Sequence, residues 1–300
     1  MQPPRLVCLG NLTIDDVYLA DGRYRPNCSG GNALYSSLAA RLWEPCVEMI
    51  APVGNDFSQE LFARMSKIGM KPEMLPRRDI KGIHNEVFYD SSGGRRWHRF
   101  TDENDAHILS PFPQDIPVEY LNAEFFLVSA MTLDAQLDIV RWLRQNVNGK
   151  IAMDIREAYM GGNDARIIEM IKQVDFFMPS EVEAKRLSDQ KDWGLVAREF
   201  AGLGPSLVVI KLGEKGSLIY HAPSQQEIRI PSFPGVVIDT TGAGDSFCGG
   251  FLGMYLNSPD DLELCGRAGA VASSFTISDF GVDGIVSTTH EIAAQRLAAW

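Results

Sequence analysis

The segment IDTTGAGDSFCGGF, Ile238–Phe251, sets Gly242-Ala243-Gly244 between two aspartates, Asp239 and Asp245, and then runs into an apolar stretch. Val236–Asp239 reads as the end of a strand, and Asp245 onward as a helix with Phe247, Phe251 and Met254 on one face. The glycines therefore fall at a helix N-terminus, where several backbone N–H groups lack an intrahelical acceptor and the helix dipole favours negative charge. Glycine also lets the backbone approach a bulky anion and take φ > 0. These features build an anion hole. A carboxylate directly behind one is ill suited to simple phosphate binding, because like charges repel. It suits phosphoryl transfer, which needs donors for the transferring oxygens and a base beside the attacking hydroxyl. A bare Gly-x-Gly-Asp is equally a capping aspartate after a glycine loop, so the flanking residues decide.

Working outward, short β-rich apolar runs alternate with amphipathic helical patterns. The runs are Arg5–Gly10, Val47–Val53, Glu124–Ser129, Lys150–Ile155, Asp175–Pro179 and Ser206–Leu212. Helical periodicity marks Asn32–Leu42, Ser58–Ile68, Leu133–Asn146 and Asn163–Gln173. This alternation predicts βαβ units and a mostly parallel sheet covered on both faces, a three-layer α/β/α fold. Asp16–Cys28 and His84–Phe100 break the rhythm and read as antiparallel ribbon, the second with a turn at residues 91–94. They are expected to form a small β element on a single domain spanning residues 1–300. Paired strands at Ser217–His221 and Glu227–Ile230 precede the opening segment, and helices follow at Ala243–Leu256, Asp260–Ile277 and Thr289–Trp300.

Composition narrows the function. At 300 residues and 45% hydrophobic content, the chain can bury a sizeable core. A formal charge of −11 argues against a nucleic-acid partner, which calls for a basic face. The five cysteines are odd in number and scattered, the N-terminus lacks a basic-then-apolar leader, and no apolar run is long enough to span a bilayer. A reducing cytoplasm and no membrane contact are expected. Gly10-Asn11-Leu12-Thr13 lacks the Gly-x-Gly-x-x-Gly of a dinucleotide site, and no Gly-x₄-Gly-Lys-Ser/Thr string exists, which excludes two other nucleotide-binding classes.

DTTGAGDSFCGGF resembles the second signature of the ribokinase, or PfkB-type, carbohydrate kinase family. GNLTID (Gly10–Asp15) resembles the strand-end Gly and substrate-binding Asp of that family, and CSGGNALYSSLAARL (Cys28–Leu42) its first signature. VVIKLGEKGSLIY (Val208–Tyr220) resembles the strand-turn-strand bordering the nucleotide. These motifs keep the family's order from residue 5 to about 285. The resemblance implies a ribokinase-like fold whose β element is a lid. It also implies an enzyme that moves the γ-phosphoryl group of ATP, with Mg²⁺, to a primary hydroxyl of a sugar-like substrate. A nucleoside acceptor and a non-catalytic sugar sensor on the same fold stay open, as do K⁺ dependence and a homodimer through the lid.

Residue by residue, the resemblance makes Asp245 the base, with Gly242, Ala243 and Gly244 holding phosphoryl oxygens. Asp15, Gly30, Gly31 and Asn32 would bind substrate. Lys211, Gly213 and Gly216 would border ATP. Glu183 would organise Mg²⁺ through water, and Asp239 and Thr241 match positions that hold a monovalent cation in several relatives. Taken alone, Asp15 is a turn residue, Asn32 a helix cap, KLGEKG a hairpin and Glu183 a solvated helix glutamate. Arg95, Arg96, Trp97 and His98 read as a polar, edge-protecting strand face, in preference to the alternative that one basic residue among them reaches the substrate. Three positions depart from the family pattern: Ser180 replaces the Asn of Asn-x-x-Glu, Tyr35 stands where a further Asn is usual, and Asp154-Ile155-Arg156 lacks the amide of Asp-x-Asn.

Overall fold

The Leu6–Leu9 and Phe125–Val128 strands of one sheet are apolar and buried along their whole length, which only a two-sided helical cover permits. The computed structural model describes residues 3–300. In chain order its strands are β1 (Leu6–Leu9), β2 (Thr13–Tyr18), β3 (Tyr24–Gly30), β4 (Val47–Ile50), β5 (Ile83–Tyr89), β6 (Arg95–Arg99), β7 (Phe125–Val128), β8 (Lys150–Met153), β9 (Phe176–Phe177), β10 (Leu207–Lys211), β11 (Ser217–His221) and β12 (Gln226–Ile230). Helices are α1 (Asn32–Arg41), α2 (Gln59–Lys67), α3 (Glu103–Ile108), α4 (Leu133–Asn146), α5 (Asp164–Ile171), α6 (Glu181–Leu187), α7 (Trp193–Ala201), α8 (Ala243–Tyr255), α9 (Leu262–Thr276), α10 (Asp283–Val286) and α11 (His290–Ala298).

Eight strands form the main sheet in the order β12-β11-β10-β9-β8-β7-β1-β4, parallel from β4 to β10 and antiparallel across β10-β11-β12. Alternate residues feed opposite cores. Val7, Leu9, Phe126, Val128, Ile151 and Met153 face one layer with α4, α5 and α7, while Leu6, Cys8, Phe125, Leu127 and Ala152 face the other with α8 and α9. A second sheet, β3-β2-β5-β6, pairs two antiparallel hairpins through a parallel β2–β5 joint. Its first strand begins at Thr13, three residues before the expected ribbon, so Asp15 lies inside a strand.

Two differences from the sequence reading have physical causes. Val236–Asp239 is not a strand: β12 is the sheet edge, and the chain leaves it with Val236 and Val237 exposed. Helices α3 and α7 were not anticipated, and α6 only through Glu183, yet Asp102, Ser180 and Asp192 each cap one by accepting from a backbone N–H three residues on.

Helix α8 is positioned by its glycines. A Cβ at Gly249 would lie 2.0 Å from the Ser36 carbonyl oxygen of α1, and one at Gly253 would lie 2.5 Å from that of Ala40. Gly250 faces α9 in the same way, against Ala272 and Ala268. Alanine favours a helix interior over glycine by about 1 kcal/mol, so any loss on substitution reports the helix contact alone. Gly249→Ala is expected to lower the unfolding free energy by about 2–3 kcal/mol, read from the denaturant midpoint. An unchanged midpoint would show that α1 and α8 are not in backbone contact.

Candidate active site

The C-terminal ends of β1, β8 and β10, the N-terminus of α8 and the inner face of the second sheet enclose a cleft of ≈ 950 Å³. Open parallel sheets bind ligands at this edge of their strands. Of the residues anticipated from sequence, Asp15, Gly31, Asn32, Glu183, Lys211, Gly213, Thr241, Gly242, Ala243, Gly244 and Asp245 line it. Gly30, Gly216 and Asp239 do not.

Gly242 is the N-cap of α8 at φ 76, ψ 0, and a Cβ there would also lie 2.3 Å from the Tyr35 ring. Both facts require glycine. Ala243 N turns back to Thr240 O at 3.3 Å, whereas among the described residues the amides of Gly242, Gly244 and Asp245 meet no acceptor. The Asp245 carboxylate, half-buried on the cleft wall, also has no hydrogen-bond donor among them. Its carboxyl is pushed up to about 6, mainly by burial and then by the Asp154 charge, with Lys211, Arg95 and Arg156 acting in the opposite sense.

Asp15 is buried and held at both oxygens. Asn85 Nδ2 donates to Oδ1 at 2.6 Å, and Thr13 Oγ1 donates to Oδ2 at 2.9 Å. Burial raises it to about 6 against those two bonds. Gly30 stands behind it, where a Cβ would lie 2.8 Å from Asp15 Oδ2. Asn32 is no cap, since Gly31 takes that position. Its Oδ1 accepts from Asn11 N at 2.8 Å and its Nδ2 donates to Ala130 O, so the amide ties two strand ends together. Tyr35 lies under the cleft floor with a buried hydroxyl that has no partner.

Lys211 Nζ pairs with Asp154 Oδ2 at 2.5 Å, both largely buried. Burial opposes the ammonium, but Asp154, Cys248 and Glu183 together raise its proton affinity above that of an ordinary lysine. Glu183 is buried rather than solvated. It closes a capping box with Ser180: Ser180 N donates to Glu183 Oε2 at 2.6 Å, and Glu183 N to Ser180 Oγ at 3.4 Å. Burial, reinforced by Asp154, lifts the Glu183 carboxyl to about 7. Gly213 faces open space. Gly216 serves the hairpin instead, because a Cβ there would strike Ile230 O at 1.9 Å.

Asp239 is buried behind the cleft, joining three segments. Oδ1 accepts from Tyr89 OH at 2.6 Å and Thr241 N at 2.9 Å, and Oδ2 accepts from Gly281 N at 3.2 Å. Tyr89, at the end of β5, also accepts from Thr240 N at 2.8 Å. Sequence reasoning did not find Tyr89, Asn85 or the Lys211–Asp154 pair. It also misread β6. Arg95, Trp97 and Arg99 alternate along that strand and line the cleft, so only Arg96 and His98 fit an outward polar face.

Mg²⁺ is bound by oxygen and needs only one or two carboxylates when phosphates supply the rest. Among the described residues no group of three His, Cys, Asp or Glu could hold a metal unaided. Glu183 on the cleft wall, with Oε1 free of protein donors, fits a phosphate-borne Mg²⁺. All five cysteines are unpaired, and among the described residues no helix is long and apolar enough to cross a membrane.

A pfkB family carbohydrate kinase model matches residues 5–289. A cytidine kinase of Thermococcus kodakarensis is 30% identical over 281 residues, 92% of this chain and 97% of the relative. A nucleoside kinase of Methanocaldococcus jannaschii is 25% identical over 307 residues, 96% and 95% of the two chains. Among solved structures, the nucleoside kinase of Burkholderia thailandensis in complex with inosine superposes with a TM-score of 0.78 at 20% identity, covering 98% of this chain and 97% of that one. An Escherichia coli protein described as a ribokinase II, in complex with ATP and Mg²⁺, gives 0.80 at 19% identity and covers 99% and 100%. The architecture is that of the ribokinase-like α/β proteins. The chain belongs to the pfkB family of carbohydrate kinases.

The Tyr89 link can be tested by itself. Tyr89→Phe leaves Asp239 two backbone donors but removes the acceptor of Thr240 N. A loss of about 1–3 kcal/mol in unfolding free energy is expected, measured by urea titration. A variant as stable as the parent would mean that the hydroxyl is not engaged in solution.

Proposed function

We propose that this chain transfers the γ-phosphoryl group of Mg·ATP to a primary hydroxyl of a sugar-like acceptor. One observation carries the reading. A carboxylate with raised proton affinity and no protein donor adjoins three unengaged amides at a helix N-terminus, in the cleft that also holds a hydroxyl-binding Asp15. In this reading Asp15 orients the acceptor by accepting from neighbouring hydroxyls, with Asn85 and Thr13 fixing its rotamer. Asp245 accepts the proton of the attacking hydroxyl. The amides of the Gly242–Asp245 turn donate to the phosphoryl oxygens, and Lys211, oriented by Asp154, faces the polyphosphate beside Gly213. Mg²⁺, when bound with the phosphates near Glu183, neutralises their charge.

The second sheet, with residues 16–28 and 84–100, acts as a lid that excludes water, and residues 1–300 work as one kinase domain. Asp239 retains unshared lone pairs, so a K⁺ requirement is assayed alongside activity. Dimerisation through the outer lid face, where Tyr18 stacks on Tyr24 and Phe88, is assayed by sedimentation. The unpaired cysteines suit a reducing cytoplasm.

A nucleoside acceptor is the second reading. It is favoured by the cytidine kinase relative and by Trp97, which offers an exposed indole on the cleft wall for a base to stack on. The ribose of a nucleoside presents the same primary hydroxyl, so the chemistry is shared.

A panel of sugars and nucleosides with Mg·ATP, with and without K⁺, read by ADP release, separates these readings. Ligand binding without any ADP release would make the protein a sensor and reject the kinase reading. Asp245→Asn should lower kcat by about 10³-fold while nucleotide affinity changes little. Near-parental turnover would remove Asp245 from the base role. Because the base must be ionised, kcat/KM should fall below about pH 6. Protonation of Asp15 (about 6) and Glu183 (about 7) should make that limb steeper than one proton. A profile flat down to pH 5 would contradict this.

A further inference from the structure

Five cations line the cleft: Arg95, Arg99, Arg156, Arg186 and Lys211. Three have carboxylate partners, two of them within the cleft. Arg99 pairs with Glu103 at 2.5 Å, Arg186 with Glu157 at 2.6 Å and Lys211 with Asp154. Among the described residues the side chains of Arg95 and Arg156 have neither a carboxylate partner nor a hydrogen bond. Their guanidinium carbons lie 4.9 and 5.7 Å from the centroid of one ring, Trp97, so a single indole gathers both.

Strand register says which end of the cleft they serve. In the β5–β6 pair, Asn85 is opposite Arg99, Val87 opposite Trp97 and Tyr89 opposite Arg95, and directly opposed residues share a face. Asn85 holds Asp15, so Arg99 marks the acceptor end, and there the charge is cancelled by Glu103. Tyr89 is hydrogen-bonded to Thr240, two residues before Gly242, so Arg95 marks the end where phosphoryl oxygens would meet the α8 amides. Arg156 approaches from the opposite wall, two residues beyond Asp154 at the end of β8. Both arginines act on the Asp245 carboxyl, and Arg156 acts on Asp15 as well. The helix terminus supplies only about half a charge, and the transferred group must pass beside a carboxylate.

We propose that Arg95 and Arg156 are catalytic cations that converge on the phosphoryl group in transit, Arg95 carried by the four-stranded sheet and Arg156 by the end of β8. The inference rests on the kinase reading above. In the step, the acceptor oxygen forms a bond to Pγ and its proton passes to Asp245. The bond from Pγ to the β,γ-bridging oxygen breaks, and its electron pair leaves on ADP. The guanidiniums stay protonated throughout and donate to the equatorial oxygens. Arg95 reaches the transfer point only with the sheet docked through Tyr89, which links charge neutralisation to exclusion of water.

The test uses Arg95→Gln, Arg156→Gln and the two Lys variants, assayed with whichever acceptor the panel phosphorylates fastest. Each Gln variant should lose on the order of 10²-fold or more in kcat, in line with arginines that stabilise phosphoryl transition states, with the acceptor KM within about threefold. The Lys variants should recover part of the rate. For the parent, aluminium fluoride should tighten MgADP binding by about tenfold or more; in the Gln variants that gain should disappear while MgADP affinity alone is kept. Unchanged kcat would overturn the proposal. So would a loss confined to the acceptor KM, which would assign the pair to an anionic acceptor, or an equal loss of MgADP affinity without fluoride. If Asp245→Asn is inactive while the arginine variants turn over normally, only this inference fails. If no acceptor is phosphorylated, the kinase reading fails first.

Discussion

The arrangement depends on how closely three helices pack. Helix α8 can present its N-terminus to the cleft because Gly249 and Gly253 let it lie against the carbonyls of α1, while Gly250 admits α9 on its other side. Side chains at those positions would push α8 outward, and the amides that face the cleft would move with it. The glycines after Asp245 are therefore as much part of the site as those before it. The first set the height of the helix, and the second shape its opening turn. Tyr35 fixes the remaining freedom, since its ring fills the space against which Gly242 turns.

A second constraint joins the small sheet to the main one. Asp239 is buried without a cationic partner and is satisfied by donors from three segments, which meet only when the second sheet is docked. The turn at Gly281 returns to the same sheet, where Val282 N donates to Ser29 O at 3.2 Å. The small sheet is thus fastened at both ends of one carboxylate, and the Gly242–Asp245 turn lies between the fastenings. Such a network is high-stakes, because a partly satisfied buried charge is worse than none.

What the sequence disclosed follows from how far apart the interacting residues lie. The α8 turn and its carboxylate are contiguous, so their chemistry is readable as a string. The strands of the main sheet announced themselves as apolar runs. The Lys211–Asp154, Asn85–Asp15 and Tyr89–Asp239 contacts span 57, 70 and 150 residues, and they exist only because of the strand order, which no local pattern encodes. The inward face of β6 was hidden for another reason: both faces of a strand reading Arg-Arg-Trp-His-Arg are polar, so alternation gives two faces without saying which is inside. The capping box at Ser180 and Glu183 was available as a short motif. It shows that Ser180, where the family pattern has Asn, starts helix α6.

The three cleft carboxylates with raised proton affinity carry a further consequence for the molecule as a whole. Asp15, Asp245 and Glu183 bind protons more tightly folded than unfolded, so above about pH 6 to 7 their ionisation weighs against the native state, and acidification relieves it. Surface carboxylates such as Asp21, Asp90 and Asp134 are shifted the other way by their hydrogen bonds, and their favourable contribution is lost only as pH falls below about 4. On these groups, thermal resistance should be greatest in a mildly acid window between these limits, where Asp245 is already partly protonated. Scanning calorimetry across that range checks this, and an optimum at neutrality would contradict it.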